Sequence, residues 1–250
     1  MRVFSESVPQ NATVEEMRRL IQYGNEDDTP SRELAREILD VGRTYFPHVG
    51  ADVPPTSVKP VMVMRLDRYG RGGDHRSFNE QGFAAIRFTE WREDYHHQHQ
   101  DVRTEDGIEY GDLLKFDDFD YIAKVARLNA ATLATMASAP GSPKAATMSA
   151  RNQDNNSVMK FTVPDGAPAD TWYQVVWRET DESDWQYAAN ASTYDDKVEG
   201  LTHTITVPIS KDNVFFGIRS CDTKGHCSAA VAPFPEVPAR NGPRQTPARQ

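Results

Sequence analysis

The sequence predicts an α/β layered domain over residues 1–138, a linker at 139–143 and an all-β sandwich over 144–236. Three observations predict this. Ahead of residue 139, short apolar runs alternate with segments of helical period, the strand–helix alternation of an α/β arrangement. Ala139-Pro140-Gly141-Ser142-Pro143 has the composition of a linker. Beyond it the apolar period falls from about 3.6 to 2, and strand-like runs recur near residues 146, 159, 174, 186, 205, 217 and 229.

Residues 1–30 are polar and poorly periodic, apart from Val14 to Ile21, which suits a short helix. Ser31, Leu34, Ala35, Ile38, Leu39 and Val41 give apolar spacings of three and four, an amphipathic helix over 31–46 that Pro47 stops. Pro54-Pro55 marks a loop, and 61–66 reads as a strand buried on both faces. Gly70-Arg71-Gly72-Gly73 turns into a short helix near 77–81, and 83–88 is a second strand. The longest helix spans 116–137, where Phe119, Ile122, Ala123, Ala126, Leu128, Ala130 and Leu133 supply a broad apolar face. In the second unit Tyr173, Val175 and Trp177 share one strand face, as do Phe216, Ile218 and Ser220. From Pro238 the Pro-, Arg- and Gln-rich tail, 237–250, reads as disordered.

The 250 residues carry a net charge of −9, with Lys and Arg scattered among acids, which disfavours nucleic acid as a partner. A mean hydropathy of −0.66 and the absence of any apolar run near the roughly 20 residues of a membrane span argue against a bilayer crossing. The first residues show no apolar signal segment, so the chain reads as carrying no secretory signal of its own and as starting inside a longer product. The two cysteines, Cys221 and Cys227, flank Asp222-Thr223-Lys224-Gly225-His226. If those residues form a hairpin turn, the thiols face one another and a disulfide contributes about 2 kcal/mol in the chain-entropy model. The alternative is two reduced surface thiols; the bridged form points to an oxidising compartment.

Chemistry concentrates in Asp74-His75-Arg76-Ser77-Phe78 through Gly82, and in Asp94-Tyr95-His96-His97-Gln98-His99-Gln100-Asp101. Imidazole is the commonest zinc ligand, and loops at strand ends are where α/β folds assemble sites. Asp74 also suits the N-cap of the short helix. Phe78 suits either a pocket wall or the core.

Asp74-His75, Phe78, Gly82 and Ala85 at this spacing, followed by His97 and Asp101, resemble late motifs of the secreted bacterial co-catalytic zinc aminopeptidases, a metallopeptidase family that includes glutamate carboxypeptidase and glutaminyl cyclase. The resemblance implies an incomplete three-layer zinc-peptidase domain, a mixed sheet with helices on both faces. It implies His97 as a zinc ligand with His96 in reserve, and Asp74, His75, Phe78 and Asp101 as site-lining residues. It also implies two zinc ions in the complete enzyme, a zinc-activated water, a peptide substrate cut at its N-terminus, and an extracellular or periplasmic parent. The family's early His-x-Asp is absent, no Glu-Glu pair follows such a site, since Glu15-Glu16 sits in an unrelated polar helix, and the bridging and further aspartate ligands are missing too, so no catalytic residue is assigned here and Glu90 is not taken as the base. The stretch with Trp172, Val175, Trp177-Arg178, Phe216, Ile218-Arg219 and Cys221-Asp222 is similar to a fibronectin type III-like, immunoglobulin-like sandwich. A rival expectation is a non-catalytic adhesion module contacting a cell surface or polymer through Trp172, Trp185 and Tyr187, although the same aromatics suit a core.

Overall fold

The computed structural model describes residues 1–48, 53–151 and 153–236. The expected disordered tail lies outside them. The chain is mixed α/β. A three-stranded sheet of order β2-β1-β3 is built from β1 (Arg2–Ser5), β2 (Val61–Val63) and β3 (Ile86–Thr89). β1, which sequence periodicity missed in a four-residue run, is the central strand. It pairs parallel to β2, with Val3 opposite Met62, and antiparallel to β3, with Val3 opposite Phe88.

Between β1 and β2 come α1 (Val14–Tyr23) and α2 (Pro30–Tyr45). The first starts at a reciprocal capping box, Thr13 with Glu16, and ends at Gly24 in the left-handed region at φ 71°. After β2 come α3 (His75–Glu80), β3, an exposed hairpin of β4 (Arg103–Glu105) and β5 (Ile108–Tyr110), and α4 (Phe119–Ser138), whose first turn is capped by the Asp118 carboxylate. Alternation places Val3, Met62, Ile86 and Phe88 on one sheet face, where they meet Ala35, Ile38, Leu39 and Val41 of α2 and Leu128 of α4. Both long helices therefore cover the same face, and neither supplies the second helical layer expected on the other. The expected broad face of α4 is also divided, because Leu128 is buried while Phe119, Ile122 and Leu133 are exposed.

Residues 139–143 have no regular structure, and two further sheets follow. One has the order β10-β11-β7-β6-β13, from β6 (Lys144–Met148), β7 (Ser157–Thr162), β10 (Asp195–Glu199), β11 (Thr202–Val207) and β13 (Phe234–Pro235). The other has the order β12-β8-β9, from β8 (Trp172–Glu179), β9 (Tyr187–Asn190) and β12 (Val214–Cys221). They share a core of Met159, Phe161, Tyr173, Val175, Ile205, Phe216 and Ile218. The expected run near 229 forms no strand and is flanked by two single bridges, Cys227 with Cys221 and Val231 with Ile218. Cys221 and Cys227 pair across a turn and are disulfide-bonded, with Gly225 at φ 89° allowing the reversal.

α2 joins the two regions, and its polar face is not solvated as amphipathic spacing implies. Asp28, just ahead of the helix, forms an ion pair with Arg36 at 2.9 Å and accepts from Arg178 of β8 at 2.6 Å, and all three side chains are at most 2% exposed. Glu33 takes Arg36 at 2.5 Å and the indole N–H of Trp185 at 3.1 Å. Arg219 of β12 reaches Asp40 at 2.6 Å. The outer face of the three-stranded β12-β8-β9 sheet is thus packed on α2 through paired charges. Unpaired, those charges would carry a heavy desolvation cost.

A polar cavity around His97

The loop after β3 is fixed by charge. Arg2 donates from Nε to the Glu90 carbonyl at 2.9 Å and reaches Glu93 at 2.6 Å, and Arg68 bonds the same Glu93 carboxylate. Arg68 also holds Asp67 at 3.1 Å, and Arg87 pairs with Asp67 and with the Gly72 carbonyl. Burial by itself would raise the Asp67 carboxyl, but the hydrogen bonds from Arg68 and the nearby guanidiniums outweigh it and draw the group below the usual carboxylate range. These clamps frame a cavity of about 500 Å³ lined by Arg71, Glu90, Asp94, His97, His99 and Asp117 among others.

Within it, the half-buried His97 ring stacks on Phe116, with centroids 3.6 Å apart and planes 15° from parallel. Its Nδ1 lies 3.5 Å from Asp94 Oδ2. The other Asp94 oxygen accepts the His96 backbone N–H at 2.9 Å and faces His96 Nδ1 at 2.9 Å. The His96 backbone bond, assisted by both imidazoles, lowers the Asp94 pKa. One carboxylate therefore orients two neighbouring imidazoles and faces His97 on its Nδ1 side.

The expected site residues fare unequally. His97 lines the cavity, and His96 turns to the edge of the Tyr110 ring, 5.0 Å between centroids. Asp101 is exposed, and it accepts from Arg103 through its backbone carbonyl. The carboxylate beside His97 is Asp94, one residue before Tyr95; spacing alone had pointed past the histidines instead. Asp74 is exposed, does not line the cavity and makes no side-chain capping bond. His75 is buried, with Nε2 3.2 Å from the Leu66 carbonyl and 3.7 Å from Asp67, and burial pushes its pKa down. Phe78 is exposed and is neither core nor cavity wall. What fixes α3 is Asn79, fully buried, whose amide nitrogen sits 3.0 Å from Glu6 and 3.2 Å from Ser31.

A zinc site needs three or four convergent donors. Among the described residues no three His, Cys, Asp or Glu side chains are grouped to hold a metal ion. His97 with Asp94 is a partial donor set, and the residues present do not by themselves fit a zinc site.

The chain is 42% identical over 215 residues to a probable zinc metalloprotease of Pyrenophora teres f. teres, covering 86% of this chain and 41% of that protein. It is 38% identical over 235 residues to a probable zinc metalloprotease of Leptosphaeria maculans, covering 94% and 50% respectively. A third, from Pyricularia oryzae, is 40% identical over 240 residues, 94% of this chain and 44% of that protein. Each of these relatives is itself named a probable zinc metalloprotease. They are fungal, whereas the motif resemblance pointed to bacterial members. The chain spans half their length or less. No family model matches the sequence. No solved structure matches it.

Proposed function

We propose that this chain forms the closing portion of a zinc-dependent exopeptidase that removes N-terminal residues from peptides outside the cytoplasm, followed by a fibronectin type III-like sandwich. The observation that carries the reading is His97. Its imidazole is stacked on Phe116 and faced by Asp94 in the lining of a polar cavity, an arrangement suited to presenting one ring nitrogen to a shared centre. The remaining donors belong to a further stretch of a longer polypeptide, as the greater length of the relatives suggests. This stretch alone does not catalyse.

The test has two arms. The purified chain, supplied with zinc, should hydrolyse amino-acid anilides no faster than its His97→Ala variant; a clear difference overturns the fragment reading. The second arm fuses the chain to the part of the Pyrenophora teres relative that it does not match. That chimaera should hydrolyse anilides in a zinc-dependent manner and lose at least about 100-fold with His97→Ala, more than loss of an outer-shell partner typically costs. Unchanged activity in a folded, zinc-loaded His97→Ala chimaera removes His97 from the centre.

A second reading, polymer contact through the β-sheets, has one observation in its favour. Tyr187 is exposed and stacks on Trp177 at 5.4 Å, the kind of flat aromatic surface a sugar ring covers. Trp185 is buried under α2 and Trp172 is tied by its indole N–H to the Asp222 carbonyl, which leaves Tyr187 as the contact residue. Retention of the whole chain on a polysaccharide column, lost with Tyr187→Ala, would support it; no retention would end it.

A further inference from the structure

α4 is apolar on more than its buried face, its charges falling on a single strip. In 20 residues it carries only three charges, Asp120, Lys124 and Arg127. Its inner face, Tyr121, Val125 and Leu128, packs on the sheet and α2. At 100° per residue, Phe119, Ile122, Ala126, Ala130 and Leu133 fall in a stripe on roughly the opposite side. Phe119 is 60% exposed, Ile122 51% and Leu133 70%. A helix apolar on both faces is normally covered on both. Beside it, Ile122, Val125 and Ala126 join Phe88 and Tyr121 around a mainly apolar cavity of about 340 Å³ that reaches the β3 edge. The small sheet adds to this. Its outer strand β2 pairs only on the β1 side among the described residues, and parallel strands are ordinarily enclosed within larger sheets covered on both faces.

From these observations we infer that the outer stripe of α4, with the adjoining cavity, is the docking surface for a further stretch of the same longer polypeptide, one that corresponds to the part of the relatives this chain does not match. The identity of that occupant rests on the reading under Proposed function. The relatives' length favours it over other occupants, because more than half of two of them, and half of the third, lies outside the matched region. It is also the simplest way to bring missing donors near His97, since Phe88, Thr89 and Glu90 line both this cavity and the one holding His97.

A thiol placed on the stripe reads this directly. Leu133→Cys puts a reactive group at an exposed position, while Cys221 and Cys227 are consumed in their disulfide. Val198→Cys on β10 serves as an exposed control. In the chain alone, maleimide should label both variants rapidly at every protein concentration. In the chimaera with the unmatched part of the Pyrenophora teres relative, the L133C variant should label at least about tenfold more slowly while the V198C variant is unchanged. Equal labelling of L133C in chain and chimaera overturns the proposal. So does slow labelling of L133C in the chain alone that speeds up on dilution, which would assign the stripe to a second copy. Protection of the L133C thiol in a chimaera without peptidase activity would sink the metallopeptidase reading and leave the docking surface standing.

Discussion

Asp28 is the sharpest test of how the two regions are joined. Its Oδ1 is shared by Arg36 and Arg178, and none of the three side chains is more than 2% exposed. In Asp28→Ala both guanidiniums remain buried. Arg36 keeps Glu33, the Ser183 carbonyl and the Asp27 carbonyl, and Arg178 keeps the Glu182 carbonyl. Removing one partner from a buried ion pair costs about 3–5 kcal/mol. At roughly 2–4 °C per kcal/mol for a chain of this size, the melting temperature should fall by about 6–20 °C. The exposed pair Lys144–Asp165 is the control, because breaking such a pair costs at most about 1 kcal/mol. Thermal melts followed together by circular dichroism and tryptophan fluorescence report both regions, since Trp185 sits at the joint. Asp28→Ala should also split the fluorescence and dichroism transitions. The quadruple change Asp28→Ala, Glu33→Gln, Arg36→Met, Arg178→Met, which also neutralises the carboxylate that Arg36 pairs with, should recover part of the loss, because replacing a whole buried ion cluster by uncharged groups is often close to neutral. A fall no larger than that of Lys144→Ala, with coincident transitions, would refute the claim that this cluster holds the regions together.

Further tests address single features. Glu37 is buried with Arg219 3.9 Å away, and burial pushes its carboxyl up to about 8, aided by Asp40 and Glu33 and opposed by Arg219. A raised folded-state pKa means the native chain holds the extra proton. Its stabilising contribution is therefore full below about 4.5 and is lost as pH rises to about 8. Urea midpoints should fall between about pH 5.5 and 8.5 and fall less in Glu37→Gln; parallel slopes would contradict this. Gly217→Ala drives a Cβ to 2.8 Å from the Trp185 ring and 3.0 Å from Ala230, and should cost about 1–3 kcal/mol by denaturant titration. Reducing Cys221–Cys227 should cost about 2 kcal/mol, read as a lower melting temperature with dithiothreitol and matched by the Cys221→Ser, Cys227→Ser double variant.

The sequence carried the elements whose pattern is local. Spacing of three and four located α2, α4 and the start of α1, and period two located β7, β8, β11 and β12. β1 was lost because four residues are too few to show a period, although the three-stranded sheet is organised around it. The candidate site was half legible. His97 stood out as an imidazole after a strand, but which carboxylate faces it depends on a turn, with the His97 N–H on the Asp94 carbonyl, that brings a preceding acid back. Asp74 and Phe78 were read from motif spacing, and their exposure here follows from where α3 packs, which Asn79 decides through Glu6 and Ser31.

The same limit explains α2. Its apolar residues read correctly as a core face, yet Arg32, Glu33, Arg36 and Glu37 looked solvated when they are buried. Local pattern reveals only part of this: Arg36 finds Asp28 and Glu33 close by, but the groups that complete the joint, Arg178 on Asp28, Trp185 on Glu33 and Arg219 beside Glu37, lie more than 140 residues further on. One hint was available within β8. Val175 and Val176 are adjacent and apolar, and adjacent strand residues point to opposite faces, so both faces of that strand had to be covered. Val175 faces the second sheet, and Val176 packs with Trp185 and Ala230 on the side that α2 covers. Since α2 also packs against the sheet whose β3 edge leads to His97, a change at the charged joint should disturb the His97 cavity even though it touches none of the residues lining it.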